Sequence, residues 1–385
     1  TFRKSESDAP SDYKIMKRII IVGAGILGAS AAYYLAKNGA EVVIVDRNDN
    51  IQATDAAAGM ICPWISQRRN KAWYELAKEG ARLYPELVQE LEEMGETETG
   101  FSQVGALSLH QDEDKMRKME ERARKRRADA PEIGKIELLD EQETKEQFPL
   151  LADGFRSVYI SGAARVDGKR MRHALIRAAE KYGAAFIKGN AELIHSGGKL
   201  SGCKVNEIVL EADIVIAANG AWMKELLLPL NIHFAVAPQK GQILHVQLPN
   251  METSKWPVVL TPTSQLILSF ADRLVIGSTH EDTEEFDSRP TIGAMYEILN
   301  KILPIAPGLI NSSLLQAKVG FRPVTANFLP VIGKIPGLDS RQIANGIGSS
   351  GLTMGPFVGK QLANLALGKE IEIDLAEYNV AGALK

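Results

Sequence analysis

A nucleotide-type glycine turn near the start of the chain constrains the fold more than any other feature. The apolar segment Ile19–Val22 leads into Gly23-x-Gly25-x-x-Gly28, and a helical pattern follows. Gly23 permits a tight turn out of a strand, Gly25 lets backbone approach a pyrophosphate, and Gly28 lets helix and strand pack closely. This order predicts a βαβ unit in which the start of the helix binds phosphate groups.

The acid expected for such a unit follows in register. A helix over 26–38 leads to a second apolar strand, Val42–Val45, and then to Asp46, eighteen residues after Gly28. A carboxylate at this place accepts hydrogen bonds from the ribose hydroxyls of an adenosine. The unit therefore predicts a dinucleotide, and it leaves the choice between NAD and FAD open.

Composition excludes several other classes. The chain has 385 residues, of which 45% are hydrophobic and 24% charged, and its net charge is −3. This length suits two or three domains, and the charge balance favours no nucleic-acid partner. No apolar stretch has the length of a transmembrane helix. Two cysteines without metal-ligand spacing predict neither a disulfide framework nor a metal site, and they fit a cytoplasmic location.

The amino-terminal segment 1–15 is polar and lacks the apolar region of a signal peptide. We expect it to be a disordered leader or tag ahead of a start at Met16. The charged segment 112–127 interleaves acids with its basic residues. We interpret it as a solvated helix rather than as a patch for an anionic partner.

The remaining pattern predicts an α/β protein, α+β overall, in which a discontinuous Rossmann-like domain carries an inserted β-rich domain. We expect residues 16–95, 151–230 and 313–385 to form the cofactor-binding domain. Residues 96–150 and 231–312 are expected to form the substrate domain.

Six predicted elements bear on this division. They are short meander strands at Phe186–Lys188, Glu192–Ser196 and Gly202–Glu211, a strand at Ala317–Phe321 in the returning α/β pattern, a helix over 70–94, and a final helix from about Gly355 to Leu367.

Three later segments favour FAD over NAD. They are the small-residue cluster Ala56–Met60, the strand and turn Ala212–Trp222, and the glycine-rich run Gly346–Pro356 before the last helix. Amide groups at that helix start suit the electron-rich edge of a reduced flavin. Arg322, predicted at a strand end between the domains, has the fork geometry for a substrate carboxylate; a structural ion pair is the alternative.

These segments together resemble a known family. VGAGILGASAAYYLAKNG with VD, AAAGM, ADIVIAANGAW, PQKGQIL, and GFRPVT with LPVIG and GSSG occur in the order typical of the D-amino-acid oxidase superfamily, nearest to its glycine oxidase branch. The resemblance covers residues 17 to about 368. It implies a two-domain fold with FAD in an extended pose, and it implies that Arg322 binds the substrate carboxylate.

The glycine turn, the later segments and the resemblance together give the expected FAD contacts. Glu192 is expected to contribute through its backbone. The full set is Gly23, Gly25, Ile26, Leu27, Gly28, Asp46, Arg47, Ala53, Thr54, Ala58, Gly59, Met60, Glu192, Gly220, Ile347, Gly348, Ser349, Ser350, Gly351, Leu352 and Thr353.

The chain departs from the glycine oxidase pattern near the substrate. Glycine oxidases resemble one another in having a tyrosine whose hydroxyl contacts the substrate carboxylate, and this chain has Gln265 at that position. Ile347 and Ser349 stand where that branch often carries His and Arg. The expected substrate contacts are therefore Arg322, Gln265 and Ser349, and glycine itself is not favoured. Gly320 stands where sarcosine oxidases carry the cysteine that bonds the flavin, so we expect non-covalent FAD.

The resemblance implies oxidation of the Cα–N bond of a small amino or N-substituted amino acid to an imine and then a 2-oxo acid. Oxygen would accept the electrons and give hydrogen peroxide. We assign no acid–base residue, because a neutral amine needs none, and of the six histidines we would test His280.

Other hypotheses stay open. The alternative within the fold is a dehydrogenase that passes electrons to a quinone or a partner subunit, as opine or proline dehydrogenases do. An NAD(P)-dependent reductase and a nucleotide-sensing module without turnover are more distant alternatives. The sequence also leaves a homo-oligomer open.

Overall fold

The computed structural model describes residues 16–196, 199–325, 328–336, 341–345 and 348–384. The prediction made for residues 1–15 and the contact assigned to Ile347 lie outside these ranges.

Among the described residues, helices alternate with strands near both ends of the chain, whereas strands follow one another in much of its middle. The helices are α1 (Ile26–Lys37), α2 (Lys71–Glu93), α3 (Glu113–Arg127), α4 (Glu141–Gln147), α5 (Gly168–Lys181), α6 (Met223–Leu227), α7 (Ile292–Ile302) and α8 (Gly351–Leu367). The strands are β1 (Arg18–Val22), β2 (Glu41–Asp46), β3 (Met60–Ile61), β4 (Ala106–His110), β5 (Ile136–Leu139), β6 (Arg156–Ile160), β7 (Ala164–Arg165), β8 (Ala185–Lys188), β9 (Glu192–Ser196), β10 (Lys199–Val205), β11 (Ile208–Glu211), β12 (Ile214–Ala217), β13 (Val236–Gln247), β14 (Val258–Leu260), β15 (Leu266–Ser269), β16 (Leu274–Gly277), β17 (Glu281–Asp282), β18 (Ser313–Thr325), β19 (Val331–Gly333) and β20 (Arg341–Asn345).

A six-stranded sheet in the order β19-β20-β12-β1-β2-β8 contains the predicted nucleotide unit. β1 pairs in parallel with β2 and with β12, so the carboxyl ends of these strands meet at one edge. Ile19 and Ile21 pack with α1 on one face, and Ile20 packs with Met223 and Leu226 on the other. Cover on both faces explains why β1 is a continuous apolar run. The Rossmann-like fold expected from the sequence is confirmed.

A nine-stranded sheet forms the β-rich part of the protein. Its order is β17-β13-β16-β15-β14-β4-β6-β5, and β18 pairs with β13. The antiparallel ladder between β13 and β18 runs from Val236 opposite Thr325 to Gln247 opposite Ser313. β18 is therefore longer than the predicted strand at Ala317–Phe321, and Arg322 lies within it rather than at its end.

β6 and β18 come from segments that we expected in the cofactor-binding domain. Both strands pair in the nine-stranded sheet instead. The choice of sheet depends on the pairing partner, which local sequence does not specify. The division of the chain into two domains stays a prediction.

Two other elements differ from expectation. β8 does not join a meander but pairs in parallel with β2, whereas β9, β10 and β11 form a separate three-stranded sheet. α8 begins at Gly351, one turn before the predicted Gly355, so Pro356 lies inside the helix and cannot donate to the carbonyl oxygen of Leu352. That carbonyl accepts a hydrogen bond from the Tyr84 hydroxyl instead. This earlier start brings the amino end of α8 to the edge where β1 ends.

The helices α1 and α8 pack closely through small residues. A side-chain carbon on Gly359 would lie 2.6 Å from Cβ of Ser30, and one on Gly355 would lie 2.8 Å from a methyl of Ile26. Glycine at both positions lets the two helices approach. Their amino ends consequently lie side by side.

The charged helix α3 is solvated, as interpreted from its sequence. Its exposed basic residues pair with acids one turn away, including Arg117 with Glu113 at 2.6 Å and Arg124 with Glu120 at 2.7 Å. Exposed pairs of this kind contribute little to stability.

Candidate active site

The predicted glycine turn adopts a conformation that requires glycine at its first position. Gly23 has φ +100°, and a Cβ there would lie 2.6 Å from the carbonyl oxygen of Ala218. A Cβ on Gly28 would lie 1.8 Å from the carbonyl oxygen of Gly23. Gly23 and Gly25 line a large cavity, but Gly28 does not. Gly28 therefore packs the helix against the turn, and its assignment as a cofactor contact is corrected.

The carboxylate of Asp46 ties the end of β2 to this turn. Its Oδ2 accepts a hydrogen bond from the Ala24 N–H at 2.7 Å, and its Oδ1 accepts one from Gln52 Nε2 at 2.9 Å. Asp46 also lines the cavity, and its hydrogen bond to a ribose stays a prediction. The Oε1 atom of Gln52 is buried without a partner in the described structure, which fits a site that receives a polar ligand.

The small-residue segment after Asp46 passes along the cavity as expected. Ala53, Thr54, Ala58, Gly59 and Met60 all line it. Gly59 has φ +100°, and a Cβ there would lie 2.0 Å from the carbonyl oxygen of Val166, so only glycine fits. Thr54 Oγ1 accepts a hydrogen bond from the Ile26 N–H at 3.0 Å and so fixes this segment to the start of α1.

The start of α8 forms the opposite wall. Gly348, Ser350, Gly351, Leu352 and Thr353 line the cavity. Trp73 Nε1 donates to Ser350 Oγ at 3.2 Å, and Thr353 Oγ1 donates to the Met60 carbonyl at 3.2 Å. These bonds attach the helix start to α2 and β3. The side chain of Ser349 lies outside the described structure.

The segment that precedes β9 also lines the cavity. Glu192 begins β9 with an exposed side chain and does not line the cavity, whereas Gly189, Asn190 and Ala191 do. The chain leaves the cavity wall where β9 starts, and the contact expected from the backbone of Glu192 stays a prediction. Ile26, Leu27, Arg47 and Gly220 line the cavity, and their cofactor contacts stay predictions.

The cavity as a whole fits an extended dinucleotide. Its volume is about 590 Å³, and it reaches from Asp46 past the amino ends of α1 and α8 to Arg322. Helix amino ends carry partial positive charge, which suits the pyrophosphate at one helix and the flavin edge at the other. Asn219, which lines the cavity, also has a buried Oδ1 without a partner in the described structure. The donor set and the space are those that FAD needs.

Arg322 is positioned at the far end of this cavity by neighbouring strands. Nη1 donates to the carbonyl oxygen of Thr279 at 3.1 Å, and Nη2 donates to Ser278 Oγ at 2.7 Å. Burial lowers the pKa of its guanidinium to about 10, against which the charge of Glu281 raises it, so Arg322 remains a cation at neutral pH. Among the described residues, no carboxylate forms an ion pair with Arg322, which excludes the structural ion pair considered above within that part of the chain.

Gln265 does not line the cavity, and its role as a substrate contact stays a prediction. Its side chain is buried at the start of the β15 region, and Nε2 donates to the carbonyl oxygen of Ser278 at 3.2 Å. Ser278 in turn accepts from Arg322. Gln265 therefore supports the segment that holds Arg322.

His280 lines the cavity beside Arg322 and is the histidine that sequence analysis had singled out. Burial lowers the pKa of its imidazole, and the positive charge of Arg322 lowers it further, so the neutral form dominates at pH 7. Cys62 also lines the cavity; burial raises the pKa of its thiol to about 12 and keeps it protonated.

Sequence reasoning missed several residues that complete the cavity. Ser278 and Trp73 had no local signal, because each acts through a partner far along the chain. Asn219 lies inside a predicted motif and could have been found from its polar side chain in a small-residue turn. Other lining residues that were not predicted are Gln52, Ser66, Arg68, Asn190, Ala191, Trp222 and Glu225.

The described residues hold neither a metal site nor a membrane-spanning helix. Their His, Cys, Asp and Glu side chains form no group of three or more that could hold a metal ion. None of their helices combines the length and the apolar character that a bilayer span requires.

Comparison with known proteins identifies similar chains over nearly the full length. Residues 18–365 match the DAO family model, described as FAD dependent oxidoreductase. An uncharacterized oxidoreductase of Bacillus subtilis, YurR, is 54% identical, with 96% of this chain and 100% of that protein aligned. A glycine oxidase of Pseudomonas aeruginosa is 30% identical over 96% of this chain and 100% of its own length. The crystal structure of an iminodiacetate oxidase from Chelativorans sp. BNC1 has a TM-score of 0.91 at 41% identity and covers 94% of this chain and 98% of that one.

Proposed function

This chain belongs to the family of FAD-dependent oxidoreductases, and from that premise we propose that it oxidises the Cα–N bond of a small amino acid or N-substituted amino acid. The products are an imine and, after hydrolysis in water, a 2-oxo acid and an amine or ammonia. The proposed electron acceptor is oxygen, which is reduced to hydrogen peroxide.

One observation carries the choice of substrate. The guanidinium of Arg322 lies in the cavity that fits FAD and has no carboxylate partner among the described residues. Of its five N–H donors, two are used by Ser278 and Thr279, which leaves three for a ligand. A largely desolvated guanidinium with free donors favours a planar anion that accepts two parallel hydrogen bonds, and the carboxylate of an amino acid is such a group.

The chain's own residues have three tasks in this reaction. FAD, when bound, supplies the two-electron acceptor. Arg322 binds the carboxylate and thereby fixes the position of the reacting carbon. The positive charge of Arg322 disfavours the ammonium form of the substrate, so its amine binds neutral and its lone pair assists loss of the hydride. Leu260, Leu266 and Phe321 line the same cavity and limit water around the reacting atoms.

We propose that FAD is held non-covalently. Gly320 lines the cavity, and a Cβ there would lie 2.7 Å from Cβ of Ala56, so this position has no room for a flavin-bonding side chain. Cys62, the cysteine in the cavity wall, is buried and protonated. Acid precipitation of the holoprotein should release all FAD into the supernatant, and yellow colour retained in the pellet would contradict this.

The choice of oxygen as acceptor is supported by the names of two relatives, a glycine oxidase and an iminodiacetate oxidase. The test uses the purified holoprotein with glycine, sarcosine, D-amino acids, prolines and opines. Anaerobic mixing should bleach the flavin, and in air each turnover should release one peroxide. Bleaching without peroxide, with electrons recovered on a quinone, would support the dehydrogenase alternative. Failure of every amine to bleach the flavin would overturn the proposed function.

A further inference from the structure

Two aromatic residues from different sheets form part of the cavity wall. Trp222 follows β12 of the six-stranded sheet, Phe321 belongs to β18 of the nine-stranded sheet, and both line the cavity. The guanidinium of Arg47, next to the acid that ends β2, lies 5.0 Å from the ring centre of Trp222, whereas Phe321 directly precedes Arg322. The two rings therefore belong to the wall between the end of the cavity that fits the adenosine and the end marked by Arg322.

A third ring joins these two from behind the wall. Phe286 stacks on Trp222 with ring centres 4.8 Å apart at an interplanar angle of 16°, and it meets Phe321 edge-on at 5.1 Å. The rings of Trp222 and Phe321 are 6.4 Å apart, so Phe286 contacts each of them more closely than they contact each other. Both arrangements are favourable for aromatic pairs. Phe286 does not line the cavity itself, so its ring supports the wall rather than a ligand.

Phe286 lies on a polar strap, residues 283–291, which connects β17 to α7 without regular secondary structure. Apart from Pro290, Phe286 is the only apolar residue of the strap, and most of the other side chains are exposed. A segment with exposed side chains and few buried apolar contacts opens locally at a low cost in free energy. The attachment of the strap to the cavity wall therefore depends on one ring.

The two ends of the strap are fixed on β13. Gln239 Nε2 donates to Asp282 Oδ1 at 2.9 Å, directly before the strap begins. Lys240, which is 6% exposed, donates through Nζ to the carbonyl oxygen of Arg289 at 2.9 Å. The middle of the strap can therefore move away from the wall about two fixed ends, without any change in the pairing of β13.

Opening of the strap is the least costly way to open this part of the wall. The other parts of the wall belong to sheets and helices whose packed interiors resist deformation. A cofactor that binds only in the closed cavity stabilises the closed strap, and a strap that opens more often releases the cofactor faster. Phe286 thus links two sheets, the strap and the cavity in one contact.

We propose that the strap retains FAD: Phe286 closes it against Trp222 and Phe321, and the cofactor leaves when the strap opens. The inference goes beyond the proposed function, because it concerns the retention of the cofactor and needs no amine substrate. It relies on the membership of the chain in an FAD-dependent family.

The first test measures FAD binding by the full chain after removal of the cofactor. Flavin fluorescence gives the dissociation constant by titration and the release rate after dilution. Phe286→Ala should raise the dissociation constant about tenfold, mainly through faster release, because two ring contacts that hold the strap are lost. Phe286→Leu keeps most of the apolar volume and should show a smaller rise. Wild-type binding and release in Phe286→Ala would overturn the inference.

The matched control is Tyr296→Ala. Tyr296 is an aromatic residue on α7, the element that follows the strap; it is 69% exposed and does not line the cavity. Its removal should leave both the dissociation constant and the release rate for FAD within about twofold of the wild type. A tenfold effect in this variant as well would contradict a specific role of Phe286.

The second test follows the strap in the wild type and so needs no variant that folds. A glutamate-specific protease should cut after Glu284 or Glu285 about tenfold faster in the protein without FAD than in the holoprotein, with the fragments identified by mass spectrometry. Glu207 is the internal control, since its side chain is 88% exposed on the turn between β10 and β11 and should be cut equally in both forms. Equal cleavage of the strap with and without FAD would overturn the inference.

Both tests are independent of the proposed function, because neither uses an amine. Retention of FAD by the strap without turnover of any amine would overturn only the proposed function. Amine turnover with FAD release that does not depend on Phe286 would overturn only the present inference.

Discussion

The guanidinium of Arg322 covers the α-carbon of Gly241 on the neighbouring strand. A Cβ on Gly241 would lie 2.5 Å from Nη2 of Arg322. The backbone of Gly241 does not have positive φ, so alanine is disfavoured there only by the space that the guanidinium occupies. The position of the proposed carboxylate-binding group therefore depends on the absence of one carbon atom across the β13–β18 ladder.

We expect Gly241→Ala to displace Arg322 without unfolding the protein, because the end of a flexible side chain can move whereas backbone cannot. KM for the amine substrate should rise about tenfold or more, while FAD content and melting temperature change little. The control is Gly293→Ala, in α7, where an added Cβ meets nothing within 4 Å. If Gly241→Ala kept wild-type KM, Arg322 would not need the position seen here.

Arg322→Ala should remove carboxylate binding and retain the cofactor. The loss of a largely buried charge partner corresponds to about 2–5 kcal/mol, so kcat/KM should fall about 30-fold or more, mainly through KM. Arg322→Lys should recover part of the loss, because an ammonium keeps the charge but not the planar fork. The measurements are steady-state kinetics and the ratio of flavin to protein absorbance. Unchanged kinetics in the alanine variant would remove Arg322 from the site.

Asp55 and Arg172 form a buried ion pair beneath the segment that passes along the cofactor cavity. Both oxygens of Asp55 accept hydrogen bonds at 3.0 Å, and the two side chains are 7% and 2% exposed. Asp55→Ala would leave a guanidinium buried without its partner, which should lower the free energy of unfolding by about 3–5 kcal/mol in urea titrations. The control is Glu297→Ala, whose exposed pair with Lys301 should contribute less than about 1 kcal/mol. Equal losses of free energy of unfolding in the two variants would contradict the stabilising role of the buried pair.

His245 should make the folded protein less stable in mild acid. Burial is the main cause that lowers the pKa of its imidazole from 6.5 to about 3; the charges of Lys318 and Arg273 act in the same direction, and those of Asp167 and Asp272 oppose them. Below pH 6.5 the unfolded chain binds a proton that the folded protein does not. The contribution of His245 to the free energy of unfolding is therefore present above that pH and is lost as the pH drops toward 3. The loss is about 1.4 kcal/mol at pH 5.5.

The test of this pH dependence compares the wild type with His245→Gln at pH 7.5 and pH 5.5 by urea titration. The variant loses a packed side chain that receives a hydrogen bond from Gln316 at 3.1 Å, so it should be less stable at pH 7.5. At pH 5.5 the gap in free energy of unfolding should narrow by about 1.4 kcal/mol. A gap that does not change with pH would contradict the assignment to His245.

The glycine turn could be read from sequence because its parts are close along the chain. Gly23, Gly25 and Asp46 belong to one βαβ unit, and the register of that unit fixes their mutual position. Gly28 was assigned to the ligand although it contacts backbone, since the same glycine pattern serves both purposes.

Positions that depend on distant strands were harder to predict from the sequence. Gln265 was expected to face the substrate, but its side chain bonds to Ser278, which supports Arg322. The local sequence does not indicate that Arg68 lines the cavity, because its position depends on Arg126 and Trp73, which hold its segment.

The sequence by itself determined the nucleotide turn, the acid that ends β2 and the presence of an arginine suited to a carboxylate, because hydrophobic period, glycine spacing and residue chemistry are local properties. Only the tertiary structure decided that β18 pairs with β13, that Ser278 and Thr279 orient Arg322 beside Gly241, and that Phe286 joins Trp222 to Phe321 behind the cavity wall. Those relations join residues tens to hundreds of positions apart, and the pairing of strands and packing of helices that create them are set by the whole chain.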